Sequence, residues 1–121
     1  MSMATNSAVW LANVTGMDGS QRPAYARIGE DSAYRVNDEF VVGWWDEIEA
    51  ERPEDVPEIM FARHNADSRP SGQTCRSMSV GDVVVVGETA YACEASGFRA
   101  LDAAPRGIRQ ETFVEFMDVL R

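Results

Sequence analysis

Ser77, Ser79, Asp82 and His64 are the residues of this chain whose types suit covalent chemistry. A serine hydroxyl becomes a nucleophile when an imidazole removes its proton and a carboxylate orients that imidazole. That constellation is defined by geometry, and no Gly-x-Ser-x-Gly elbow surrounds either serine. Turn-forming serines account for the same letters, so a hydrolase-like enzyme built on Ser79 and Asp82 ranks last among the readings. Cys75 and Cys93 lack a CxxC spacing, and with the lone His64 they make a poor ligand set; no metal and no cofactor is expected. The third cluster is acidic. Residues 46–58, DEIEAERPEDVPE, hold seven carboxylates and one arginine. Such a run can imitate a phosphate backbone and occupy a DNA-binding enzyme of a host defence system, with Glu47, Glu49, Glu51 and Glu54 as the mimic. It is also what a solvated, salt-adapted face looks like.

The composition favours that plainer origin. Twenty acids against eleven basic residues give a net charge of −9, and every basic residue is arginine. Arginine is a planar, weakly hydrated donor, whereas lysine is a strongly hydrated point charge. High-GC coding and a salt-rich cytoplasm both remove lysine, and the excess of acid points to the second. Concentrated salt screens the self-repulsion that so large a charge creates. The expected source is therefore haloarchaeal in type, with a high-GC bacterium as the alternative. A net −9 with scattered arginines argues against direct nucleic-acid binding.

The N-terminus has no positive n-region, and no run approaches the apolar length of a membrane span, so a cytoplasmic protein that does not engage membranes is expected. There both cysteines stay reduced. Asn13-Val14-Thr15 matches a glycosylation acceptor that matters only on export.

The elements that must position these residues follow from periodicity. At 121 residues with 45% apolar content the chain fits one domain, 1–121, able to close its own core. Residues 1–7 are small and polar and are expected to fray. A first strand is expected over 8–14 and a second over 39–46, where Trp44 and Trp45 must point to opposite faces. One ring belongs to the core; the other lies under cover or serves as a partner-binding anchor, and Trp44 is carried as the candidate. Residues 20–36 stay open between a short helix from Pro23 to Ile28 and irregular chain. Asp55-Val-Pro-Glu58 has capping-box spacing and predicts a helix over 55–65. A polar loop over 66–74 follows. Ile108, Phe113, Phe116, Met117 and Leu120 share one helical face, which predicts a C-terminal helix over 107–121.

Val83–Val86 and Thr89–Cys93 flank Gly87-Glu88, a connection suited to a type II′ turn, and so form a β-hairpin. Consecutive valines put apolar groups on both faces, as in a strand covered on each side. The order of Ile59-Met60-Phe61 and Asn65, a Pro- and Gly-containing loop, Ser77-Met-Ser-Val-Gly-Asp-Val-Val84, Tyr91 and Gly97-Phe98 resembles the YodL-like domain family. The chain departs from it at Cys75-Arg76, where many members carry Gly-His. The resemblance implies a domain of phages, plasmids and conjugative elements, with no established reaction.

The expected fold is α+β: a small, mainly antiparallel sheet with a β-hairpin, packed by two or three helices. The expected role is non-catalytic, an accessory protein of a mobile element or virus that touches an unknown host or viral protein through the 65–82 loop. Asn65, Ser77, Ser79 and Asp82 shape that loop, Arg76 offers a charged contact, and Tyr91 and Phe98 anchor the hairpin.

Overall fold

The structure is a computed structural model that describes residues 3–15, 17, 34–66 and 76–120. Residues 20–33 of the segment left open, Cys75 and nearly all of the 66–74 loop lie outside the described residues. Among the described residues six strands form one sheet in the order β5-β4-β3-β1-β2-β6. They are β1 Ala4–Asn13, β2 Glu39–Ala50, β3 Val83–Val86, β4 Thr89–Glu94, β5 Gly97–Ala100 and β6 Gly107–Thr112. Four of the five strand pairs are antiparallel; β2 and β6 run parallel. Among the described residues two α-helices, α1 Val56–His64 and α2 Phe113–Leu120, pack with it in an α+β fold.

The valine run alternates faces as expected, and three of its four side chains are buried, while Val85 is only half-buried. Val84 and Val86 enter the larger core under the helices, with Trp10, Val41, Met60, Phe113 and Phe116. Val83 and Val85 belong to a smaller cluster on the opposite face, with Leu11, Phe40 and Ala90. Val86 pairs with Thr89, and Gly87 has φ +60°, the left-handed conformation that its place in the two-residue connection demands. Tyr91 and Phe98 are half-buried against the larger core, as expected of anchors.

Four expectations change. Residues 4–7 do not fray; they extend β1 and pair with residues 47–50. Small polar side chains gave no alternation there, and the partner is the start of the acidic run, which continues β2 past the expected end at residue 46 to Ala50. The capping box does not form. A 3-10 turn over Pro53–Asp55 places Asp55 in helical backbone without a side-chain cap, and its carboxylate instead meets Arg52 at 3.4 Å. The segment from 107 is not all helix: Gly107–Thr112 is strand β6, and α2 begins at Phe113. Finally, Trp44 is the half-buried tryptophan, packed against the larger core, while Trp45 is 60% exposed.

A bulge decides the last point. The β1–β2 register shifts between Trp10 and Leu11, which pair with Trp44 and Val42, so that Gly43 is the extra residue. A Cβ on Gly43 would sit 2.7 Å from the Trp10 ring, so only glycine lets this strand cross it. The bulge reverses the parity of β2, and Val41 and Trp44 both face the helices.

Candidate functional site

The serine-lined turn converges on Asp82, which has no solvent exposure. Its backbone N–H donates to the Ser79 carbonyl at 3.0 Å, and the Cys93 N–H donates to its carbonyl at 2.9 Å, fixing the turn to β4. The carboxylate then collects five donors. Arg76 binds it through both terminal nitrogens at 2.8 Å each. The Trp10 indole donates at 3.1 Å, the Asn13 N–H at 2.9 Å and the Ser79 N–H at 3.0 Å. A carboxylate offers about four lone-pair directions, so none is left for a substrate or a histidine.

The network reaches further. Arg76 also donates to the Asn13 and Ser77 carbonyls, and its guanidinium lies 5.9 Å from the Phe113 ring centroid. Asn13 is wholly buried; its amide donates to Asp38 at 2.9 Å and to the Gly81 carbonyl at 3.0 Å. An amide held that way is not a glycosylation acceptor. Segments far apart in sequence are thus tied by charge-assisted bonds in a dry interior, the setting in which such bonds are strongest.

The other sequence candidates do not gather here. Ser77 and Asn65 are exposed. His64 is buried under the sheet, its ring 5.1 Å from Trp10 and 6.3 Å from Trp44. Asp46 lies 4.0 Å from His64 and 3.4 Å from Arg63. Cys93 is buried, and burial, then the Asp82 and Glu94 charges, push its thiol up to about 12, so it is held protonated. Among the described residues no three His, Cys, Asp or Glu side chains are grouped to hold a metal ion. No described helix is long and apolar enough to cross a membrane.

The feature that sequence reasoning misplaced lies on the sheet face turned away from the helices. Trp45 pairs with Val9, and Val9 with Val85, so one apolar row crosses β2, β1 and β3. Tyr34 packs at Phe40, 6.3 Å between ring centroids, and Leu101 packs on the same face, where its N–H donates to the Ala90 carbonyl. Around the row the face is open, with a groove of about 560 Å³ lined by Ser7, Val9, Trp45, Glu47 and Val85. Glu47 and Glu49 follow Trp45 at two-residue steps, so they rise from the same face, and both are exposed. Glycine inside a strand run is the sequence signal for a bulge that resets the parity. No family profile, curated protein or solved structure matches the chain.

Proposed function

We propose that this is a non-catalytic accessory protein of a haloarchaeal-type mobile genetic element or virus, and that it acts in the cytoplasm by contact with a host or viral protein. The lysine-free acidic composition and the YodL-like order of motifs support the setting. The observation that carries the contact is the Trp45 row. An exposed tryptophan backed by half-buried valines is a typical anchor for a partner surface, and aromatic anchors dominate such interfaces. Glu47 and Glu49 beside it favour a partner that presents basic side chains around an apolar centre. A second copy of this chain would set these acids against their own kind.

The 65–82 loop contributes through exposed Asn65 and Ser77, while Arg76, Ser79 and Asp82 hold the loop to the sheet. Saturation of the Asp82 carboxylate speaks for a scaffold rather than a hydrolase. The acids support contact better than DNA mimicry, because they are divided: Glu47 and Glu49 flank Trp45, Asp46 faces Arg63, and Arg52 lies between Glu54 and Asp55 at 3.7 and 3.4 Å.

The test is affinity capture from a haloarchaeal lysate in molar salt, read as proteins retained by the native chain and released by variants. Trp45→Ala should lower retention by about tenfold or more, as loss of an anchor does. Equal retention by Trp45→Ala sinks the reading. Competition with DNA for a nuclease, abolished when Glu47, Glu49, Glu51 and Glu54 are neutralised, would replace it with mimicry.

A further inference from the structure

On the helix side of the sheet, far from the Trp45 row in chemistry and facing the other way, α1 and the β4–β5 hairpin border a cleft of about 270 Å³ that opens to solvent. Its walls are aromatic. Phe61 of α1 and Phe98 of β5 meet edge to face, 6.2 Å between centroids and 79° between planes. Phe61 keeps 36% of its surface open to solvent. Cys93 lines the cleft too, a neutral and weakly polar group.

Two carboxylates lie at this cleft, and they differ. Glu94 is engaged by Arg99 at 3.0 Å. Glu58 stands one helical step before Phe61 and makes no ion pair among the described residues. Its Oε1 reaches to within 3.9 Å of the position a Cβ on Gly97 would take, so the carboxylate leans across the opening toward β5. An aromatic ring attracts a cation over its face, and a carboxylate without a counter-ion completes such a site.

We propose that this cleft receives one lysine or arginine side chain presented by a partner protein. The cationic head pairs with Glu58, and the carbon stem lies along Phe61 and Phe98. Three observations select that occupant. The volume is below the range of about 300–1,000 Å³ typical of drug-sized ligands and suits a single side chain. The charge of the rim and of the whole chain is negative. Only one carboxylate is unengaged, which fits one cation rather than a free diamine.

NMR titration of the full chain tests this with blocked lysine (N-acetyl-lysine N-methylamide), its neutral norleucine counterpart and 1,4-diaminobutane. Blocked lysine should move the Phe61, Gly97 and Phe98 signals and bind about fivefold tighter than the norleucine probe. Glu58→Gln should erase that ratio, and because Glu58 is exposed the variant keeps its fold. Equal binding of the lysine and norleucine probes, an unchanged ratio in Glu58→Gln, or no shift at these residues overturns the proposal. Diamine binding about tenfold tighter than blocked lysine overturns it in favour of a free polyamine. The inference goes beyond the Trp45 contact. Trp45→Ala should leave this titration unchanged, so either reading can fail without the other.

Discussion

Around Asp82 a carboxylate sits at zero exposure behind five donors, while two strands away Trp45 leaves 60% of its surface in water. Polar groups have gone in and an apolar one has stayed out. Burying an ion pair costs desolvation that a hydrophobic replacement avoids, so such pairs contribute chiefly by fixing which arrangement is reached. An exposed indole adds nothing to the core, and in the proposed function its part is contact. The pairing teaches that the serine turn, which reads like a site, is a buried structural node, and that the proposed contact falls elsewhere, on the strand that carries Trp45, Glu47 and Glu49.

Variants can break that division, beginning with the largest effect. Asp82→Ala removes the carboxylate that accepts from Arg76, Trp10 and the Asn13 and Ser79 N–H groups, and should cost about 3–5 kcal/mol of unfolding free energy, measured by denaturant titration. A cost below about 1 kcal/mol would mean that the node is not structural. Gly43→Ala forces a methyl against Trp10 and should cost about 1–3 kcal/mol, while moving Trp45 exposure as read by fluorescence quenching. A silent result would show that the bulge relaxes.

The Cys93 effect is smaller and depends on pH. A thiol raised to about 12 in the fold ionises first in the unfolded chain, whose value is near 9. The folded state therefore holds the extra proton between those limits: stability is fully present below about pH 9 and falls as pH rises toward 12. Cys93→Ser should flatten that slope by up to about one proton. Tyr34, whose phenol burial raises in the same direction, keeps its own share in the variant. Smallest of all, Trp45→Ala should shift stability by no more than about 0.5 kcal/mol while lowering partner retention by about tenfold or more. A large loss of stability would make Trp45 a core residue.

Much of the scaffold was legible because local signals agreed. The valine hairpin, its turn and the α1 span were set by residues that are near neighbours in sequence. The misses share a cause in partners that lie far away. Strand β6 pairs with β2 over only a few residues, and its exposed Ile108 and Gln110 carry no alternation. Residues 4–7 become strand because 47–50 are already extended beside them. The loop roles of Ser79 and Asp82 were readable from turn chemistry, but the commitment of Arg76 to Asp82 was not, since it depends on Trp10 and Asn13 closing over both. The choice between Trp44 and Trp45 rested on one glycine that resets a period of two.

The parallel pairing of β2 with β6 also governs how the molecule comes together. Glu39 and Phe40 find their outer neighbours at Gly107 and Ile108, after every other strand has been made. Until that late segment arrives, the flank of Phe40 and the ceiling later supplied by Phe113, Phe116 and Met117 stay uncovered. Assembly of this domain should therefore be slow for its length, as distant pairings impose. A nascent chain halted before Gly107 would be a ready client for chaperones.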